Sequence, residues 1–134
     1  MKSAPRECMS PRQRDIQERT FRFACEIVDF CEHLGASSSQ IRRRLATQLF
    51  DAGTSVASNL EEAVAGQSKA DFIAKAFVSL KEARESPFWL RVIKTTTDTP
   101  IAGTDSLLCE SSQLVAILTT ILRNARSNTS RGNP

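Results

Sequence analysis

The sequence has few of the residues that build turns, strands and catalytic sites. Its 134 residues include five glycines, five prolines, one tryptophan and no tyrosine. Because sheet proteins need frequent turns and favour aromatic residues in their strands, this composition argues against a many-stranded fold. The hydrophobic content of 40% is that of an ordinary folded protein, and the length fits one domain with its own core.

The chain also lacks the patterns of export and membrane insertion. Met1 to Arg14 is polar and basic, without the apolar stretch of a signal peptide, and apolar runs elsewhere are only a few residues long. We therefore expect a cytosolic protein that does not contact a membrane. The four cysteines, Cys8, Cys25, Cys31 and Cys109, have no C-x-x-C spacing. A reducing cytosol would keep them as thiols, and the last three are predicted to be small buried hydrophobes.

Catalytic and metal-binding patterns are absent as well. The one histidine, His33, has no glutamate three residues before it, whereas a di-iron bundle needs paired Glu-x-x-His motifs. The sequence also shows no glycine-rich phosphate loop and no nucleophile elbow. We expect no enzymatic activity, no cofactor and no metal, and a carboxylate metal site is the least favoured alternative.

What is present is helical periodicity. Apolar residues recur at spacings of three and four along segments of about 14–34, 40–65, 69–94 and 105–126. These segments, joined by short loops, predict an all-α, antiparallel up-down four-helix bundle over residues 14–126, with a flexible lead (1–13) and a flexible basic tail (127–134). In the first helix a second apolar stripe, from Phe21 to Cys31, makes a wide face that a core or a subunit interface would cover. Gly53 predicts a tight helix crossing, and Pro87 predicts a kink or an end in helix three.

Polar residues interrupt the apolar pattern on helices two and three. In one interpretation they are solvated faces; in the other they form a hydrogen-bonded network between helices or subunits. The candidate network residues are Gln48, Ser55, Asn59, Glu62, Glu82 and Glu85.

Four stretches resemble a known family: Glu18 to Phe21, then Gln48 to Ala63 with its Gly-Thr-Ser-Val-x-x-Asn-x-x-Glu-Ala core, Ser68 to Lys75, and Lys81 to Ser86 followed by Trp89 and Leu90. The chain is similar to the bacterial four-helix-bundle proteins encoded by intervening sequences within 23S ribosomal RNA genes. The resemblance implies a homopentamer. The accessory variability protein of diversity-generating retroelements, a basic pentamer that binds nucleic acid and partners a reverse transcriptase, is similar to this family. The resemblance therefore implies RNA, DNA or a reverse transcriptase as partners.

The formal charge of +3 is concentrated at the C-terminal end, because residues 111–134 contain three arginines and no acid. In an up-down bundle, the start of helix one, the second turn and the end of helix four share one end. That end predicts a phosphate-binding surface made of Arg12, Arg14, Arg19, Arg22, Lys69, Arg123 and Arg126. The alternative is a protein-interaction scaffold that does not touch nucleic acid. Arg42, Arg43 and Arg44 lie at the opposite end and are interpreted as solubilising.

Overall fold

The computed structural model describes residues 15–132, with side chains to residue 128. This part of the chain forms four helices and no strand: α1 (Ile16–Gly35), α2 (Gln40–Ala65), α3 (Lys69–Thr96) and α4 (Thr104–Gly132). The predicted all-helical class is confirmed. The predicted lead (1–13), which contains Arg12, and Arg14 at the predicted start of helix one lie outside the described residues.

Local sequence explains where the helices begin. The Ser39 hydroxyl accepts a hydrogen bond from the backbone N–H of Arg42 at 3.2 Å, and the Ser68 hydroxyl accepts one from Asp71 at 3.1 Å. Each serine therefore caps an otherwise unpaired N-terminal donor, as the sequence predicts.

Three helix ends differ from the sequence expectation. Helix α3 runs through Pro87 to Thr96 as one helix. The proline removes only one backbone donor, and the residues around it remain packed in the bundle. Helix α4 continues to Gly132, although apolar periodicity ends near residue 126. Extending an existing helix adds one hydrogen bond per residue and requires no apolar face. Helix α1 includes Gly35, one residue past the expected end at residue 34, and only Gly103 has a positive φ among the described residues, at 94°.

The helices pack in chain order. Helix α1 lies on α2, α2 on α3 and α3 on α4, while the contact between α1 and α4 that closes the bundle is the least extensive. All four helices contribute to one apolar core, which contains the fully buried Ile27, Leu49, Leu90 and Leu118. Burying such side chains stabilises the fold by about 1.5–3 kcal/mol each.

Helix α2 approaches both of its neighbours closely. A Cβ atom on Gly53 would lie 2.7 Å from Cγ1 of Ile27, which is closer than side chains pack. On the other side of α2, the fully buried Ser79 hydroxyl donates a 2.7 Å hydrogen bond to the Val56 carbonyl. The tight crossing predicted at Gly53 is therefore present, and it joins α1 to α2.

The wide apolar face of α1 is only partly covered by the bundle. Phe21 and Val28 remain exposed, whereas Cys31 is buried and desolvation raises the pKa of its thiol to about 12. Cys25 is a free thiol but exposed, and Cys109 is exposed and disulfide-bonded. The prediction of three buried thiols is thus correct only for Cys31, because apolar periodicity does not show which stripe faces the core.

Helix α4 has the length and composition of a membrane-spanning helix over Thr104–Asn128, and it alone does so within the described residues. Length and composition do not separate such a helix from the core helix of a bundle. Leu107, Leu114 and Leu118 of α4 are buried in the bundle core, which is reason enough for its apolar character.

We predict that Gly53→Ala destabilises the fold by about 1 kcal/mol. Alanine is the better helix former by about 1 kcal/mol, but overpacking against the stiff, fully buried Ile27 costs about 1–3 kcal/mol. Urea denaturation followed by circular dichroism measures the change. Gly35→Ala is the matched control: its Cβ would lie 3.9 Å from Ala46 Cβ, an ordinary contact, so this change should be neutral or stabilising. Equal effects of the two substitutions would contradict the crossing argument.

Candidate nucleic-acid interface

One end of the bundle gathers the start of α1, the turn between α2 and α3, and the end of α4. Three residues, 66–68, join the end of α2 to the start of α3. Because neighbouring helices are antiparallel, α1 begins and α4 finishes at this same end of the bundle. The predicted basic residues divide into buried, paired and exposed groups at this end.

Arg19 is not part of the surface. Its side chain is 2% exposed and forms a bidentate pair with Glu110 of α4, with Nε–Oε2 at 2.9 Å and Nη2–Oε1 at 2.7 Å. The fork of the guanidinium matches both carboxylate oxygens and ties α1 to α4, where the bundle has least contact. The inclusion of Arg19 in the phosphate-binding set was wrong, because a buried guanidinium whose donors serve a carboxylate does not reach a ligand in solvent.

A sequence signal for this pair exists in α4. Glu110 lies three residues after Leu107 and four before Leu114, both buried, so it occupies the core stripe of its helix. An acid at such a position needs a cationic partner, because an unpaired buried charge is costly. The sequence does not say which helix supplies the partner.

The remaining predicted cations differ in availability. Lys69, Arg123 and Arg126 are exposed. The guanidinium carbon of Arg126 lies 5.6 Å from the centroid of the Phe77 ring, a cation–π contact that positions the charge against α3. Arg22 is about one third exposed and forms a 3.3 Å ion pair with Glu18. The structure thus leaves a smaller basic surface, made of Lys69, Arg123 and Arg126, with Arg22 beside its acid.

The predicted polar network is not formed as direct hydrogen bonds between helices in the described residues. Asn59 Nδ2 donates to the Ser55 carbonyl at 2.9 Å, and the Ser55 hydroxyl donates to the Asp51 carbonyl at 2.6 Å, both within α2. Glu85 accepts a 3.1 Å bond from Trp89 Nε1 within α3. A buried hydrogen bond does join α3 to α2, but its donor is Ser79, which is not one of the six candidate network residues.

One of the candidate network residues, Glu82 of α3, lies near other acids. Partial burial raises the pKa of Glu82 on α3, and the negative charges of Glu85 and of Asp51 on α2 raise it further, while Lys81 lowers it. Asp51 of α2 and Glu82 of α3 thus bring two acids together where these helices pack. Their charges repel, so this region costs stability at neutral pH.

His33, the one histidine of the sequence, lies away from the basic end. His33 lines an open cleft of about 370 Å³ with Glu26, Phe30 and Gly103. Within the described residues, no three His, Cys, Asp or Glu side chains are grouped so that they could hold a metal ion.

Comparison with known proteins gives the family. The sequence profile described as 23S rRNA-intervening sequence protein matches residues 12–120. The chain belongs to this family. The match spans all of the first three helices and most of α4, so it includes part of every helix of the bundle.

A solved structure shows the same fold. It is a crystal structure of a protein with unknown function from the S23 ribosomal protein family of Bacteroides thetaiotaomicron, with a TM-score of 0.73 and 30% sequence identity. The alignment covers 81% of this chain and 95% of that one. Comparison with curated proteins finds no match.

We predict that Arg19→Met destabilises the fold by about 3–5 kcal/mol, because it leaves the Glu110 carboxylate buried without its cation. The double variant Arg19→Met/Glu110→Leu should recover most of this loss, since it removes both charges together. Urea denaturation of the two variants measures both values. The control is Arg22→Met, which removes a more exposed pair with Glu18 and should cost less than about 1 kcal/mol. A double variant no more stable than Arg19→Met would refute the explanation.

We also predict that Glu82→Gln stabilises the protein near neutral pH and has little effect in acid. In the folded state the pKa of Glu82 is raised, so the folded protein holds this proton more tightly than the unfolded chain. Below the ordinary pKa of glutamate both states are protonated and the charge costs nothing; as pH rises through the raised pKa, stability is lost. Thermal melts of wild type and variant across this range measure the difference. Glu61→Gln, which removes a carboxylate from an exposed position of α2, is the control, and an equal stabilisation by it would contradict the explanation.

Proposed function

We propose that this protein is a non-enzymatic, self-associating four-helix bundle that binds RNA or DNA through the basic end described above. Arg123 and Arg126 carry the proposal, since both are exposed near the end of α4 in a stretch without acids. The family description links such proteins to ribosomal RNA genes, which favours a ribonucleoprotein setting. A reverse-transcriptase setting rests on the resemblance to the accessory variability protein.

The arrangement of the basic end supports phosphate binding. Lys69 begins α3 at the end of the bundle where α4 finishes, so its charge adds to that of the two arginines. Arg126 is held against Phe77, which lowers the entropy lost when its guanidinium contacts a phosphate. The acids Glu61, Glu62 and Asp71 offset part of this charge, so one subunit alone should bind weakly.

Self-association would strengthen the binding. Each subunit of a ring repeats the same modest basic surface, and linked sites bind far more tightly than separate ones. The exposed large apolar side chains on all of the first three helices favour an oligomer, since such residues are covered in assemblies. The expected subunit number, five, rests on the family resemblance.

The same exposed apolar residues favour a second candidate, a scaffold that docks a partner protein and does not bind nucleic acid. Phe50 and Val64 on α2 and Phe88 on α3 are each more than two fifths exposed. The two candidates differ in a single measurable property, the affinity for nucleic acid at low salt.

We predict that the protein binds mixed-sequence single-stranded RNA and DNA oligonucleotides, and that affinity falls steeply with salt. Arg123→Ala/Arg126→Ala should weaken binding and reduce the slope of log affinity against log salt by about 1 for each arginine that contacts a phosphate. Fluorescence anisotropy across a salt series measures both quantities.

Arg43→Ala/Arg44→Ala is the matched control, because it removes two exposed arginines at the opposite end of the bundle. This pair should leave the slope unchanged. Absence of binding at low salt by the wild type would leave the scaffold as the function. Equal losses in the two variants would mean that charge alone, and not this end of the bundle, determines binding.

A further inference from the structure

Two exposed stripes run along opposite helices of the bundle. The α1 stripe consists of Glu18, Phe21, Cys25, Val28 and Glu32, spaced by three and four residues, so that it follows one line along the helix. All five residues are exposed, with Phe21 at 56% and Val28 at 38%. The stripe combines apolar side chains with two acids and contains no cation.

The α3 stripe consists of Phe77, Lys81, Arg84, Phe88 and Arg91, with the same alternating spacing. Phe77 is 45% exposed and Phe88 50%, and the three cations are exposed as well. Among the described residues, neither Arg84 nor Arg91 forms an ion pair. This stripe has the apolar character of the α1 stripe and the opposite charge.

The contacts of α2 fix the relative heights of the two stripes. Gly53 lies level with Ile27 of α1, and Val56, three residues further along α2, bonds to Ser79 of α3. Three residues rise about 4.5 Å, so Ser79 lies level with residue 24 of α1.

The two stripes therefore match in height. Helices α1 and α3 run in the same direction, so Phe21 lies within about 1.5 Å of the height of Phe77. By the same measure, the height of Glu32 falls between the heights of Arg84 and Arg91. At these heights Phe21 faces Phe77, Val28 faces Arg84, and Glu32 faces Phe88 with an arginine about one helical turn to either side.

We propose that the α1 stripe of one copy docks side by side, in parallel, on the α3 stripe of the next copy. Docking without an axial shift brings Phe21 onto Phe77 and sets Glu32 between two arginines. The inference rests on the self-association proposed above and identifies the surfaces that form it. Because the two surfaces differ and lie on diagonal helices, each copy binds two neighbours, which produces a ring or a filament.

Charge decides between this arrangement and its alternatives. A symmetric dimer through two α1 stripes would oppose acids to acids, and one through two α3 stripes would oppose cations to cations. Interleaved phenylalanine and arginine on α3 would also suit single-stranded nucleic acid. The apolar, acidic α1 stripe on the same chain, with Phe21 at the height of Phe77, favours a second copy as the occupant.

The test mixes two variants, each blocked on one stripe. Phe21→Lys/Val28→Lys blocks the α1 stripe by setting lysines opposite the cationic α3 stripe, and Phe77→Gln/Phe88→Gln blocks the α3 stripe by removing its apolar side chains; lysine and glutamine are good helix formers. Each variant alone should have the single-chain mass of 14.8 kDa by light scattering. Their equimolar mixture should give a heterodimer of twice that mass and nothing larger, because one intact stripe remains on each partner and the blocked stripes repel each other.

Ile41→Glu, an acid introduced at an exposed apolar residue of α2 outside both stripes, is the control and should keep the wild-type mass. Circular dichroism verifies that every variant is folded.

Several outcomes overturn the inference. If one variant stays oligomeric while the other is monomeric, the interface is symmetric. If the wild type is oligomeric and neither variant changes its mass, the interface lies elsewhere while self-association stands. A wild type that keeps the single-chain mass at all concentrations removes the proposed self-association as well. If Phe88→Gln alone, which keeps the contact between Arg126 and Phe77, leaves the mass unchanged but abolishes binding of a single-stranded RNA oligonucleotide at low salt, the α3 stripe is a nucleic-acid surface.

Discussion

The close approach of α2 to both of its neighbours is the constraint on which the rest of this structure depends. Gly53 allows Ile27 of α1 to occupy space that any side chain would fill, and Ser79 of α3 bonds directly to the α2 backbone. Helices that pack this tightly cannot slide, because protein interiors are close-packed and tolerate little change in volume. The heights of α1, α2 and α3 are therefore fixed, and with them the alignment of the exposed stripes on α1 and α3.

The contact between α1 and α4 is stabilised in a different way. Helices α1 and α4 share the least contact, and a bidentate pair between Arg19 and Glu110 joins them inside the protein. Such a pair adds less net stability than an apolar contact of the same size, but it defines one arrangement, since any other leaves a buried charge unpaired. Its presence also reduces the basic surface at this end to Lys69, Arg123 and Arg126, with Arg22 paired to Glu18. A weaker surface on each subunit makes the proposed binding depend more strongly on self-association.

Much of the fold follows from local sequence. The four helices and the tight crossing at Gly53 were each predicted, because periodicity and the absence of a side chain act over a few residues. The candidate site was harder to predict. Arg19 and Arg22 are neighbours on one helix with the same charge, yet one is buried and the other is not. Spacing along α1 shows only that they occupy different faces, and the bundle as a whole determines which face is inside.

Sequence by itself determined that this chain is helical, how its apolar residues are spaced and where its excess positive charge lies, because these properties depend on the order of residues alone. It also showed that α1 has more apolar surface than one core stripe requires. Only the tertiary structure decided that Glu110 meets Arg19, that Phe21 and Val28 stay outside, and that Phe21 lies at the height of Phe77. These facts depend on distances between residues far apart in the chain, and packing against α2 sets those distances.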